Sequence, residues 1–366
     1  VPDKKTRGVS NLANKIPDVP DAPTVSAVNV GTARAYNNGA ATVTISSPTG
    51  GLPSSYSITT TPSTVTTTAT TSPVTLTGLA SATSYTVTVT PSNVSATGTA
   101  TTSSSFTATT VPQAPTIGTP TVATGQSYTG NANVSVAFTA GATGGASATY
   151  TATSSSGNTA TGATSPIAVS DTVGVARTYT VTATNANGTS TASSASASAT
   201  PVSVPQAPTI GTATDAATNG AVSVTFTGNA TGGSAITTYT ATSSPGSITG
   251  TSATSPITVS GLTNGTAYTF TVTATNANGT SAASSSSNSA TPTLPLPVVT
   301  GGTLTSDATY YYRTFNDNGT LSISVAPLIA DYLVVAGGGG AAGGVQNSVK
   351  GDTFNGGGGG GGGIVY

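Results

Sequence analysis

Histidine, cysteine, glutamate, methionine and tryptophan are all absent from this 366-residue chain. Most of the side chains that do chemistry at neutral pH go with them. A nucleophile activated by a neighbouring base needs a histidine or a cysteine in its usual forms, and thiolate or imidazole metal sites need the same residues. The acids that remain are nine aspartates, scattered along the chain. Acid–base work by paired carboxylates requires two in one site, whereas Asp171 and Asp215 each stand alone in their stretch of sequence. Asp317 lies in "NDNG", yet the spacing and the closing acid of a calcium loop are missing, so the segment reads as a turn. The "TGG" at Thr49, Thr143 and Thr231 has neither the lysine nor the following helix of a phosphate loop. Asn187 with Thr189, and Asn278 with Thr280, fit the glycan-acceptor pattern, but both fall in Asn-Gly turns, and turn chemistry accounts for them. The expectation is a protein that is not an enzyme and holds no cofactor and no metal.

Composition narrows the partners. Only 5% of residues are charged, against roughly 25% in soluble domains, and the net charge is −1. No field exists to steer nucleic acid or an anionic membrane surface, and no apolar run is long enough for membrane insertion. The first residues, "VPDKKTRGVSNLANKIPD", are basic with no apolar stretch behind them, so they do not read as a secretory signal. The chain starts at Val1, which leads us to expect a processed chain or part of a longer one. Thr, Ser, Ala, Gly, Val and Asn dominate, a mixture that suits pleated strands and tight turns.

The elements show themselves through repetition. "TVTATNANGTS" occurs at Thr180–Ser190 and again, unchanged, at Thr271–Ser281; "VPDAPTV" starts at Val19 and "VPQAPTIG" at Val111 and Val204. A period above ninety residues is that of a small independent domain. The prolines at each junction fix φ and keep the preceding residue out of the helical region, so the links are semi-rigid. Inside each unit, apolar residues alternate with polar ones: Ala41, Val43, Ile45; Val134, Val136, Phe138; Val222, Val224, Phe226. Tyr268, Phe270, Val272 and Ala274 alternate with Thr269, Thr271, Thr273 and Thr275 in the same way. Period two is the mark of half-buried strands. The eleven-residue repeat is therefore a strand and its turn, copied with the domain, with Asn-Gly supplying the positive φ of a tight hairpin.

The order of these features resembles the fibronectin type III family. Each unit has a Pro-rich lead-in, an early strand, and a tyrosine on the next strand (Tyr56, Tyr150, Tyr239). "GLASATSY", with Leu79 and Tyr85, and "GLTNGTAY", with Leu262 and Tyr268, follow in the first and third units. The resemblance implies a tyrosine corner at Tyr85 and at Tyr268, its hydroxyl bonding to upstream backbone. The second unit reads "DTVGVARTY" instead. There Arg177 takes the corner position and Tyr179 aligns with Phe270, so the corner should be missing. All three units lack the family's early tryptophan, with Ile45, Phe138 and Phe226 in its place. The fold expected is all-β: three tandem fibronectin III/Ig-like sandwiches in a rod, over 19–110, 111–203 and 204–294, then a small glycine-rich β module over 295–366.

The two ends differ from the repeats. Residues 1–18 hold four of the eight basic residues, Lys4, Lys5, Arg7 and Lys15, and read as an anchoring arm. "YYYRTFNDNGTLSISV" (Tyr310–Val325) reads as a hairpin turning at Asp317-Asn318-Gly319. "ADYLVVAGGGG" runs into Gly337, Gly338, Gly339 and Gly340, and eight glycines span Gly356–Gly363 before "IVY". Apolar residues so close behind a glycine run suit a packed module better than a spacer. This end resembles the glycine-rich modules of bacteriophage tail-fibre and appendage proteins, particularly those of marine hosts. That resemblance implies a structural protein on the virion surface, outside the cell. Its N-terminus would hold other virion proteins, and its glycine-rich end, from Gly337 to Gly363, would serve assembly or contact host-surface carbohydrate or protein. It also implies a homo-oligomer, with a trimer common in such fibres. A bacterial cell-surface or secreted adhesin using the same domains as spacers is the alternative.

Overall fold

In a computed structural model the described residues are 18–295 together with 298–300, 302–306, 311–315, 320–324, 331–333, 354–355 and 362–365. Lys4, Lys5, Arg7, Lys15, Gly337 to Gly340 and Gly356 lie outside them. The chain divides into two compact units, one ending at Ser203 and the other starting at Val204. Among the described residues every regular element is a strand, and no helix is long and apolar enough to cross a membrane.

The first unit holds two sandwiches. In sandwich 1, Thr24–Asn29, Gly39–Ser46 and Val74–Leu79 form one sheet. Thr66–Ala69, Ser55–Thr61, Ser84–Ser92 and Thr101–Thr102 form the other, with Phe106–Thr107 also paired to Ser84–Ser92. Sandwich 2 repeats the plan. Thr121–Val122, Asn131–Val136 and Ile167–Thr172 make its first sheet. Thr159–Gly162, Thr149–Ser154, Tyr179–Asn185 and Gly188–Thr189 make its second. In the second unit, sandwich 3 follows suit. Thr209–Asp215, Ala221–Thr227 and Ile257–Ser260 lie opposite Thr249–Ser252, Ile236–Ser244, Thr269–Asn276 and Gly279–Thr280. All these pairs are antiparallel.

The alternation in sequence becomes the core. Val134, Val136, Val169 and Val181 are fully buried, as are Val222, Val224, Val259 and Val272 in sandwich 3. Burying one such side chain stabilises by about 1.5–3 kcal/mol. On the early strands, Phe138 packs on Tyr150 with ring centres 4.8 Å apart, and Phe226 on Tyr239 at 4.5 Å. Sandwich 1 has Ile45 and Tyr56 in the same cluster.

The last segment of sandwiches 2 and 3 pairs in an unusual way. Ser190, Ser193 and Ser196 donate their N–H groups to Ala183, Val181 and Tyr179. Each Ser Oγ then accepts the N–H of that same partner residue at 3.0 Å. Three residues thus advance against two, and a hydroxyl stands in for the carbonyl that regular pairing would supply. Ser281, Ser284 and Ser287 do the same for Ala274, Val272 and Phe270. Every N–H along the buried strand is satisfied, although the edge is not a regular strand.

After sandwich 3, the hairpin expected over Tyr310–Val325 is corrected. Tyr311–Phe315 pairs with Thr303–Ser306 and Gly362–Val365, while Thr320–Ser324 pairs with Val298–Thr300 and Phe354–Asn355. The two strands belong to different sheets. An Asn-Gly turn signal predicts a reversal of direction, but it does not decide which strand becomes the hydrogen-bonded neighbour. A four-residue connection is long enough to pass from one sheet to another. Gly363, from the glycine run, sits within the strand Gly362–Val365, between Thr314 and Leu333.

Candidate functional site

No group of three or more His, Cys, Asp or Glu that could hold a metal occurs among the described residues. Asp171 is enclosed within sandwich 2. Its Oδ1 accepts from Ser156 Oγ at 2.6 Å and Asn158 Nδ2 at 2.9 Å, and its Oδ2 from Tyr179 Oη at 3.0 Å. Burial works to raise this carboxyl, but the bonds from Ser156, Ser154, Tyr179 and Asn158 outweigh it and hold it below its ordinary value. Burial and the same carboxylate push the Tyr179 phenol well up. With its hydrogen bonds directed inward, the carboxylate acts as a structural anchor.

That anchor replaces the corner of the other two sandwiches. In sandwich 1, Tyr85 Oη accepts the Ala80 N–H at 3.0 Å beside the buried Leu79. In sandwich 3, Tyr268 Oη accepts the Thr263 N–H at 3.1 Å beside the buried Leu262. Arg177 bridges Ala199 as Tyr268 bridges Ala290, so it occupies the corner position without a phenol. Asp215 is of another kind. It is an exposed carboxylate held below its ordinary value mainly by the Thr293 hydroxyl, with the Ala217 and Thr293 amides adding to it.

The more informative geometry lies at the N-terminal pole of each sandwich, where TGG and the copied turn meet. Asn185, the first Asn of "NANGT", is buried. Its Nδ2 donates to Thr110 O and Thr143 O, both at 2.8 Å, and its Oδ1 accepts the Asn187 N–H at 2.8 Å. One amide thereby ties the incoming link, the TGG loop and its own turn. Asn276 likewise bonds Thr231 O and the Asn278 N–H, both at 2.8 Å. Asn93 holds Asp18 O at 2.7 Å and accepts from Ser95 N–H at 2.9 Å. The positive φ expected at Asn-Gly falls on the glycine, with Gly188 at 133° and Gly279 at 135°.

Within the first unit this pole of sandwich 2 seats sandwich 1. The Ala33 N–H donates to Asn187 O at 2.8 Å, and Gly144 (φ 72°) and Gly145 (φ 87°) let the loop come up against the link. A Cβ on Gly144 would lie 2.4 Å from Thr110 O. The link itself is fully accounted for. Thr109 N–H donates to Asn29 Oδ1 (3.0 Å) and Val111 N–H to Arg34 O (3.0 Å), both in sandwich 1. Thr110 N–H donates to Gly144 O (2.9 Å) and Gln113 N–H to Ala142 O (2.8 Å), both in sandwich 2. Pro112 has no donor to place. The link alternates between its two neighbours and leaves no amide free to loosen.

Sequence reasoning did not single out Asn93, Asn185 or Asn276, because a turn explains "NANGT" on its own. It also missed the serine ladder, whose signal was the three-residue spacing in Ser190, Ser193 and Ser196.

These features define a modular protein of Ig-like β-sandwiches. Residues 206–290, in sandwich 3, match the family model "fn3: Fibronectin type III domain". No curated protein matches the sequence. Among solved structures, the FN1–FN3 domains of chicken CNTN1 align at 13% identity over 75% of this chain and 100% of that one, with a TM-score of 0.27. Domains A168–A170 of titin align at 18% identity over 74% and 99%, with a TM-score of 0.30. The three sandwiches share one strand order in both sheets.

Proposed function

We propose that this chain is a non-enzymatic structural protein of a phage virion, a fibre or appendage carried on the particle surface. In this reading the N-terminal residues, with Lys4, Lys5, Arg7 and Lys15, hold other virion proteins, the sandwiches are spacers, and the glycine-rich end faces the host for attachment or assembly. The observation that carries the spacer role is the link between sandwiches 1 and 2, in which each amide from Thr109 to Gln113 is bonded to one sandwich or the other. Domains on one chain move relative to each other by default; a spacer that must transmit position needs links without that freedom. The uncharged Thr, Ser and Asn surface favours short-range polar contacts, such as those with host carbohydrate, and several copies acting together would strengthen a weak contact.

The test is to locate the chain by cryo-electron microscopy of intact particles from the source culture. Density for the three sandwiches projecting from a capsid, neck or tail protein, with the N-terminus at the particle, supports the proposal. Finding the chain on cells or in filaments free of virions sinks it and makes the protein a bacterial surface adhesin built on the same spacers.

A further inference from the structure

The N-terminal pole of sandwich 1 has the same framework as the pole of sandwich 2 but a different surface. Pairing of Tyr56 with Pro91 and of Tyr150 with Ala183 aligns the two poles. Asn93 holds Asp18 O as Asn185 holds Thr110 O. On this common frame, Leu52 stands where sandwich 2 has Ala146, and Val94 where it has Ala186. Leu52 is 80% exposed, Val94 86% and Val19 53%. They are neighbours at one pole: Ser54 N–H bonds Ser92 O at 2.8 Å, and a Cβ on Gly51 would meet Asp18 O and Val19. Charge differs too. Asp18 and Asp21 replace Thr110 and Gln113, and the Asp21 carboxylate lies against Gly50. The pole that in sandwich 2 seats the loop of Ala33 and Arg34 is here apolar and acidic.

We propose that this pole is a docking surface and that its occupant is the chain's own N-terminal segment, residues 4–16. Three observations favour that occupant over any other. The segment carries Lys4, Lys5, Arg7 and Lys15, half of the chain's basic residues, against Asp18 and Asp21. Val9, Leu12 and Ile16 supply the apolar side chains that Leu52 and Val94 call for. The segment is also joined to the pole at Asp18, whose carbonyl Asn93 fixes, so the contact is intramolecular and weak pairings suffice. A dozen residues at about 3.3–3.6 Å each reach well beyond Leu52 and Val94. The surface continues the use the fold already makes of this pole in sandwich 2. It stands whether or not the segment also anchors the protein to a particle.

Trypsin reads the contact directly on the full chain, because Lys4, Lys5, Arg7 and Lys15 are its cleavage sites before Arg34. We expect cleavage at Lys15 to be about tenfold or more slower than in a free synthetic peptide of residues 1–18, as follows if the bound form dominates. The doubly substituted Leu52→Ser/Val94→Ser chain should be cut at close to the peptide rate, and Asp21→Gln should give an intermediate rate that converges on wild type as salt is raised. These positions are exposed, so the substitutions leave the sandwich folded, which hydrogen exchange at Val87 and Val89 checks. Cleavage of the wild-type chain at the peptide rate overturns the proposal. So does protection that survives the double substitution, or protection that grows with protein concentration, which would make the occupant a second copy.

Discussion

Replacing Asn185 by Ala removes one side chain that makes three hydrogen bonds, two donated to Thr110 O and Thr143 O and one accepted from the Asn187 N–H. Each is worth about 0.5–1.5 kcal/mol net, and buried partners left without a bond cost more. Thr110 is fully buried, so its carbonyl gains little from water and keeps only the longer bond from Asn187 Nδ2 at 3.3 Å. The sum for sandwich 2 is about 3 kcal/mol, roughly a hundredfold in its opening equilibrium. Native-state hydrogen exchange resolves such a change sandwich by sandwich. The amides to follow are those of Ala33 and Val111, which bond across the junction to Asn187 O and Arg34 O, and that of Val181 in the core.

Asn185→Asp sharpens the test. The carboxylate keeps the acceptor for Asn187 but turns a charge on the two carbonyls that formerly received Nδ2. Such a carboxyl is raised in the folded state, because the fold disfavours its charged form. Its penalty is therefore present at neutral pH and fades as pH falls through the raised folded value. Asn185→Asp should be less stable than Asn185→Ala at pH 7 and recover toward it at pH 5. If Asn185→Ala changes exchange at Ala33 and Val111 by less than about twofold, or if the two variants behave alike at both pH values, the clasp contributes little and the argument for the junction fails.

Asp171 gives the opposite pH sign. Its folded carboxyl lies below the ordinary value, so its stabilisation is complete above about pH 4, the unfolded value, and is lost as pH falls through the lowered folded one. Thermal melting of sandwich 2 across pH 2–6 should show that loss, and Asp171→Asn should abolish it. Tyr179→Phe deletes a bond to a charged group and should cost about 1.5–3 kcal/mol, against about 1 kcal/mol for Tyr85→Phe, which deletes a neutral one; urea titration compares the two. Ser193→Ala removes the Oγ that accepts the Val181 N–H at 3.0 Å. It should cost about 1–3 kcal/mol and speed exchange at Val181, while Ser193→Thr, which keeps a hydroxyl, should cost less.

Strands were legible because burial on a pleated sheet writes itself as period two, and Val222-Ser223-Val224-Thr225-Phe226 could hardly be read otherwise. The corners at Tyr85 and Tyr268 were expected from the resemblance of "GLASATSY" and "GLTNGTAY" to the fibronectin type III pattern, while their partners Ala80 and Thr263 came from the fold. What escaped was either long-range or counted in threes. The partners of Asn185 lie 75 and 42 residues away, a distance at which one sequence gives no pairing. The serine ladder runs at period three, neither strand nor helix, and looks like low-complexity sequence. Asp171 was visible only as a lone acid. Its meaning depended on Ser156, Asn158 and Tyr179, which only the fold brings around it. At Tyr311–Phe315 and Thr320–Ser324 strands stand where they were expected but do not pair with each other, since neighbours in a sheet are chosen by the whole module.

The unchanged eleven residues at Thr180–Ser190 and Thr271–Ser281 carry more than a strand and a turn. Val181 and Ala183 face the core, Asn185 receives the incoming chain, Gly188 takes the positive φ that closes the turn, and Ser190 opens the ladder. Residues with four separate tasks in one short run leave few positions where change is neutral, which is reason enough for the copies to match. Sandwich 1 tests the point, since its turn reads "SNVSATG" and is longer. The Asn and its bond to the incoming carbonyl remain, while Val94 takes the place of an alanine and stands exposed. In sandwiches 1 and 2 the clasp holds the incoming chain, and the surface around it follows from what that pole must meet. The bonds at the pole of sandwich 2 run between uncharged groups, so salt should leave that junction unchanged, whereas the acidic pole of sandwich 1 should respond to it.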